Sequence, residues 1–150
     1  PAGWSEDVSY FGLSPEEKKV YGVKLTAPAH GSMPAPMMAA HYYAPGNLMD
    51  ETAERFIKGH LSKTAKGPRG PKVKNGKVAG IKAKSFGGVS YESSEPHSMN
   101  AERIEIWESY AVLPLKKGYY VLRYSAPAAD FNAGMPVFEA FVASFKPLLK

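Results

Sequence analysis

The spacing of apolar and polar residues predicts strands in the first third of the chain. Apolar and polar residues alternate over residues 21–26, which is typical of a half-buried strand. Residues 37–43 are mostly apolar at both alternating positions and predict a strand with two apolar faces. A further strand is expected at residues 8–13. Ser14 and Pro15 then predict a turn or a single helical turn, because serine caps helices and proline favours their first position.

Two amphipathic helices follow from apolar residues at helical spacing. The first is expected at residues 50–66, with Asp50 as its N-terminal cap and a Gly-Pro pair at its end. Its apolar face is formed by Met49, Ala53, Phe56, Ile57 and Leu61. The second is expected to begin at Pro136, the position where proline is best tolerated, and to end before Pro147.

The region between these helices is rich in residues that favour strands. Residues 67–77 contain many Gly, Pro and Lys residues and predict an exposed loop, and residues 77–92 predict a strand pair or one bent strand. Residues 103–115 and 119–125 predict a hairpin with a short Lys-Lys-Gly connection. This order predicts an α+β fold, an antiparallel sheet of about five to seven strands with helices packed on it.

Length and composition indicate one globular domain. The chain has 150 residues, of which 44% are hydrophobic and 22% are charged, both ordinary values for a single domain. We expect one domain over residues 1–150, with residues 1–20 as a peripheral segment. The absence of cysteine excludes a disulfide scaffold, a Cys-ligated zinc site and a thiol enzyme.

The chain carries no recognisable catalytic motif. A phosphate-binding loop ending at Lys77 would need Gly at Pro71 and Ser or Thr at Val78. Neither a G-x-S-x-G elbow nor an H-E-x-x-H motif occurs. The spacing of the Ser and His residues neither supports nor forbids a Ser/His/acid site. We therefore expect a protein that is not an enzyme and uses no cofactor.

Positive charge is concentrated in one segment. Residues 58–84 contain nine basic residues and no acidic one, so that a net charge of +5 leaves −4 for the rest of the chain. The expected partner-binding residues are Arg69, Lys72, Lys74, Lys77, Lys82 and Lys84. Such a segment suits an acidic protein surface or anionic lipid headgroups. It does not suit nucleic acid, because no aromatic residue for base stacking lies between Lys63 and Lys84. The alternative is an ordinary solvated helix end, loop and strand face.

Histidine and methionine form a second candidate site. Thioether and imidazole groups together are ligands for soft copper ions, and the alternative function is therefore a metal-handling protein that uses His30, Met33, His97 and Met99. Met37 and His41 share a strand face but lie roughly 13 Å apart at strand spacing. Otherwise the methionines fill the core or loops and the histidines are exposed.

The C-terminal part of the chain resembles the ending of PsbP-like proteins. The resemblance lies in the segment GYYVLRYSAP at residues 118–127, followed by Phe131, Pro136, Phe138, Ser144 and Phe145. The element order from about residue 20 to about residue 148 also resembles this superfamily, which includes an extrinsic photosystem II subunit, a nuclear Ran-binding protein and bacterial exported proteins. The resemblance implies an α/β/α sandwich, a binding or assembly role, and no shared catalytic residues.

The same resemblance bears on location. Together with the start at Pro1 without a methionine, and the lack of cysteine, it predicts an extracytoplasmic protein, periplasmic or lipid-anchored after removal of a signal. No stretch approaches the roughly 20 apolar residues of a membrane helix. We therefore expect a non-enzymatic binding or assembly protein of the cell envelope with no transmembrane segment.

Overall fold

A computed structural model describes residues 1–7, 12–94 and 98–149. The described residues form one seven-stranded antiparallel sheet and three helices. The strands are β1 Ser5–Glu6, β2 Val20–Thr26, β3 Met37–Tyr43, β4 Lys74–Val78, β5 Ile81–Ser93, β6 Arg103–Pro114 and β7 Tyr119–Pro127, and the helices are α1 Pro15–Lys18, α2 Ala53–His60 and α3 Phe131–Ser144. The predicted α+β fold with an antiparallel sheet is confirmed.

The strand order is β1-β2-β3-β7-β6-β5-β4. The connection that contains α2 carries the chain from β3 to the opposite edge of the sheet, and β4 to β7 then return as a meander. The meander closes on β3, where Met37 pairs with Ser125 and Tyr43 pairs with Tyr119. Residues distant in sequence therefore meet at the β3–β7 boundary in the middle of the sheet.

The N-terminal segment agrees with the sequence in part. Ser14 caps α1 in a reciprocal capping box with Glu17, and Pro15 occupies the first helical position, as predicted. The strand expected at residues 8–13 falls largely on residues 8–11, which lie outside the described residues. Gly12 and Leu13 are not part of a strand.

The prediction of a loop at residues 67–77 is wrong in its second half, because Lys74–Val78 forms β4. This strand pairs with β5 through a two-residue turn. Ala79 and Gly80, at the turn, have φ angles of 50° and 78°, as a hairpin turn that follows the sheet twist requires. Pairing with β5 keeps this polar sequence extended, although its residues have little intrinsic preference for a strand.

Helix α2 is shorter than expected at both ends. Its cap is Thr52 rather than Asp50, and the Thr52 hydroxyl accepts a hydrogen bond from the Arg55 amide at 3.2 Å. The helix ends at His60 because the Ser62 amide donates to the Gly87 carbonyl of β5 at 3.0 Å. This backbone bond to the sheet replaces the next turn of the helix.

Helix α3 begins at Phe131, five residues before the expected start, and Pro136 lies inside it. Phe131 is only 1% exposed and packs against Tyr124 and Trp107. Its carbonyl accepts a hydrogen bond from the Tyr124 hydroxyl at 3.1 Å. Burial of the Phe131 ring thus fixes the start of the helix in spite of the proline.

Each face of the sheet packs against a different helix. Adjacent residues of a strand point to opposite sides, and Leu113 belongs to the cluster that contains α3, whereas Val112 belongs to the cluster that contains α2. We name these sides the α3 face and the α2 face. Within the described parts of the chain, no helix has the length and apolar character needed to cross a bilayer.

Candidate functional site

The six basic residues singled out in the sequence surround the β4 edge of the sheet, and we name them the basic edge. They are Arg69 and Lys72 in the loop before β4, Lys74 and Lys77 on β4, and Lys82 and Lys84 on β5. All are exposed except Lys84, which is half-buried.

The sheet register divides the basic edge. Lys77 pairs with Lys82, and Lys84, two residues further along β5, points to the same α2 face. Arg69 lines a groove with Phe138 and Val142 of α3, on the other face, and Lys77 at the sheet edge lines the same groove. The edge is therefore a band that wraps around β4 rather than one flat patch.

The basic edge is not neutralised by neighbouring carboxylates. Among the described residues, none of its six cations forms an ion pair within 4.0 Å, whereas Lys24, Lys66 and Arg123 each do. Lysines placed directly opposite each other, as Lys77 and Lys82 are, repel and destabilise a strand pair. Lysines on an edge strand also discourage pairing with a second sheet.

The three proposed metal ligands that the structure describes lie in two separate loops. His30 and Met33 lie exposed in the loop between β2 and β3, and Met99 is fully exposed between β5 and β6. His97 lies outside the described residues. In the part of the chain that the structure describes, no group of three or more His, Cys, Asp or Glu residues is arranged to hold a metal ion. The copper site built on His30, Met33, His97 and Met99 stays a prediction.

A second site, which is absent from the predictions above, lies on the α2 face. It is a cavity of about 200 Å³, which we name the Arg123 cleft. Its walls come from β2, β3, β6, β7 and α2, and its lining residues are Lys24, Met37, Ala39, His41, Tyr43, Phe56, His60, Tyr110, Val121 and Arg123.

The strand register explains why space is left there. Ala39 on β3 lies between Lys24 on β2 and Arg123 on β7. Because a methyl group separates two long cationic side chains, the centre of this face remains unfilled. Helix α2 packs over β5 and β6, and its Phe56 and His60 form one wall of the cavity.

Glu108 anchors the arginine behind the cleft. Its carboxylate is buried and accepts hydrogen bonds from Arg123 Nη2 at 2.5 Å, the Tyr110 hydroxyl at 2.9 Å and Ser90 Oγ at 3.3 Å. Burial opposes the charge of Arg123, but Tyr110 and Glu108 raise the pKa of its guanidinium above the ordinary value. The arginine therefore stays charged in a fixed position.

Part of the guanidinium has no partner. Arg123 Nε is buried without a hydrogen bond, and Nη1 forms none with the described residues. The Arg123 side chain is nevertheless 36% exposed and lines the cavity. Since Nε is buried, only the terminal Nη1 and Nη2 groups of this fixed cation are left to donate into the cavity.

Two histidines flank the arginine. The His60 ring stacks on Phe56 at 4.0 Å, and its Nδ1 lies 2.8 Å from the Phe56 carbonyl, which favours the tautomer with the proton on Nδ1. Burial, and after it the positive charges of Arg123 and Lys24, lowers the pKa of His41. His41 is consequently uncharged at neutral pH.

The other polar groups add little free charge. Burial raises the pKa of Tyr43 to about 12, so its hydroxyl stays protonated. Lys24 is paired with Asp7 at 2.7 Å. Cavities that enclose drug-sized ligands measure about 300–1,000 Å³, so the Arg123 cleft suits only a small ligand, held by hydrogen bonds from a cation.

The predicted hairpin held a signal for this site. Arg123 is the one charged residue of β7, Glu108 is a charged residue in the middle of β6, and the register places Tyr110 opposite Arg123 and Glu108 opposite Ser125. A charge on each strand, pointing to the same face, indicates a buried pair. His41 and Lys24 gave no comparable signal, because only the β3–β7 and β2–β3 pairings bring them near Arg123.

Comparison with known proteins gave no relative. No protein-family model, curated protein or solved structure matches the chain. Functional assignment therefore depends on the residues of the chain itself.

Proposed function

We propose that this chain is a non-enzymatic binding or assembly domain of the cell envelope that recognises an acidic protein surface or anionic lipid headgroups through the basic edge. The observation that carries the proposal is a band of six exposed or half-exposed cations without an ion pair among the described residues. Mutual repulsion of Lys77 and Lys82 would be relieved by a negatively charged partner.

The proposal includes an α/β/α sandwich of the PsbP-like type. Helices α2 and α3 pack with side chains of opposite parity on β6 and β7, which is the arrangement that an α/β/α sandwich needs. The chain also ends with the strand, loop and helix on which the resemblance to PsbP-like proteins was based. We include this fold and an extracytoplasmic location in the proposal.

Binding through the basic edge would be collective and sensitive to salt. An exposed ion pair contributes only about 0–1 kcal/mol, so several cations must act together. Screening over about 8 Å at physiological ionic strength then weakens the interaction steeply as salt is added.

A charge-reversal variant tests the proposal. We expect simultaneous replacement of Lys72, Lys74, Lys82 and Lys84 by Glu to abolish retention on vesicles containing phosphatidylglycerol and on an immobilised acidic polypeptide at low salt. Sedimentation with vesicles measures lipid binding, and surface plasmon resonance measures binding to the acidic polypeptide. The two measurements therefore distinguish lipid recognition from protein recognition.

The matched control reverses four lysines outside the basic edge. Changing Lys18, Lys116, Lys117 and Lys146 to Glu alters the net charge by the same amount but leaves the edge intact, and we expect retention close to that of the wild type. If both folded variants lose binding equally, net charge rather than this surface is responsible. If neither loses binding, the basic edge is an ordinary solvated face.

A further inference from the structure

We propose that the Arg123 cleft is a binding site for a small organic carboxylate. The geometry that points to it is a fixed guanidinium with unpartnered N–H groups, set at the edge of a cavity of about 200 Å³ that has apolar and aromatic walls. This site is separate from the basic edge and does not depend on the function proposed for it.

The arginine is held in place before any ligand arrives. Glu108 accepts from Arg123 Nη2, and Tyr110 and Ser90 in turn donate to Glu108. An arginine carries five N–H donors in a rigid fork, so it can serve a second carboxylate while one edge is occupied. Fixing the fork beforehand lowers the entropy that binding would otherwise lose.

The walls select for an organic anion with a single charge. Ala39 and Val121 form apolar floor positions on either side of the β3–β7 pairing, and the rings of Tyr43 and Phe56 meet edge to face at 5.5 Å beside them. These groups suit a short aliphatic body. The lysine and the arginine of the cleft, Lys24 and Arg123, are each paired with one carboxylate already, so the charge of the cleft does not favour a polyanion over a monoanion.

Ala39 is the position that decides whether the cavity exists. It is 2% exposed, and its neighbours across the sheet are Lys24 and Arg123. Its neighbour in sequence, Ala40, points to the α3 face between Val23 and Leu122. The pair provides matched substitutions on one strand, one inside the cleft and one outside it.

The experiment is a titration of the whole chain with sodium propionate, followed by backbone amide NMR shifts. We expect saturable shifts for residues of β3 and β7 around Ala39, with a dissociation constant on the order of millimolar, as suits so small a ligand. Propionamide, which has the same shape but no charge, and inorganic phosphate should give weaker binding or none. If propionamide binds as tightly as propionate, the assignment to a carboxylate is wrong. If phosphate binds more tightly than propionate, the assignment to an organic anion is wrong.

Two variants locate the site. Ala39→Val should fill the cavity and abolish the saturable shifts, whereas Ala40→Val should leave them unchanged. Arg123→Lys keeps the positive charge but loses the fork, so we expect at least about a tenfold weaker affinity. Should Arg123→Lys fail to fold, the alanine pair still decides the matter. Unchanged binding by a folded Ala39→Val variant would place the ligand elsewhere and overturn the proposal.

Discussion

Glu108 is a buried carboxylate that three donors share, and its removal would leave Arg123 without its ion-pair partner. Breaking a buried ion pair from one side costs about 3–5 kcal/mol. Because the Arg123 side chain is 36% exposed, water can compensate part of this loss. We expect Glu108→Gln to lower the free energy of unfolding by about 2 kcal/mol, measured by urea denaturation.

Glu105 on the same strand provides the control. Its Oε2 lies 3.8 Å from Lys66 Nζ, and its Oε1 accepts a hydrogen bond from Trp107 Nε1 at 2.7 Å. A glutamine there can still accept from Trp107, and a loose, partly exposed ion pair contributes about 0–1 kcal/mol. Glu105→Gln should therefore cost less than Glu108→Gln. Equal losses would show that burial of the Glu108 network contributes nothing specific.

His41 makes stability depend on pH. Burial and the positive charges of Arg123 and Lys24 lower its pKa in the folded protein, whereas an unfolded chain has a histidine pKa of about 6.5. Below that pH the unfolded state binds more protons, so stability is full above about 6.5 and decreases as the pH falls towards the folded pKa. We expect His41→Gln to reduce this loss in urea denaturation curves measured above and below that pH.

The groups around His41 define what the measurement must separate. Arg123 from β7, Lys24 from β2 and His60 from α2 line the same cleft. His30, which is exposed in the loop before β3, is the control position. A His30→Gln variant should keep the pH dependence of the wild type. If the His41→Gln variant keeps it as well, the dependence arises at another group.

Among the larger elements, the contact between α2 and β5 depends on Gly88. A β-carbon at Gly88 would lie 2.7 Å from the His60 carbonyl oxygen and 2.9 Å from Glu108 Oε2. The first contact is to backbone at the end of α2, which cannot move without displacing the helix. We expect Gly88→Ala to lower the free energy of unfolding by about 2 kcal/mol, within the range for overpacking.

Gly76 on the neighbouring strand β4 is the matched position. A β-carbon there meets nothing within 4 Å. Since alanine restricts the unfolded chain more than glycine does, Gly76→Ala should leave stability unchanged or raise it by up to about 1 kcal/mol. Thermal unfolding of both variants compares the two sites. A Gly88→Ala variant as stable as Gly76→Ala would contradict the close packing of α2 on β5.

The sequence predicted those elements whose signals are local. The strand at residues 37–43 was placed at its observed bounds, and the β6–β7 hairpin was found because its turn and both alternating strands lie together in sequence. The errors arose where a distant contact overrides local preference. Ser62 leaves the helical path to bond Gly87 of β5, and burial of Phe131 starts α3 ahead of its proline.

At the scale of the whole molecule, the two candidate sites differ in how far sequence could reveal them. The basic edge is nearly continuous in sequence, so a count of charges located it, and pairing of β4 with β5 determined only how it folds around the sheet. The Arg123 cleft is assembled from five separate elements. The small side chain of Ala39 leaves the cavity open. A cavity cannot be predicted from one alanine in a strand until the pairing places Lys24 and Arg123 beside it.

Strand β4 is one of the two edge strands of the sheet, and its unpaired backbone groups could join a second sheet. Lys74 and Lys77 are exposed on this strand, and their charge would repel an identical edge. We expect Lys74→Thr combined with Lys77→Thr to increase self-association, measured by sedimentation velocity, because threonine favours strands and carries no charge. Lys116→Thr with Lys117→Thr removes the same charge at the exposed connection between β6 and β7 and should not have this effect. If both variants self-associate equally, the loss of net charge is the cause. If neither variant self-associates, Lys74 and Lys77 do not protect the edge, and partner binding is the role that distinguishes them.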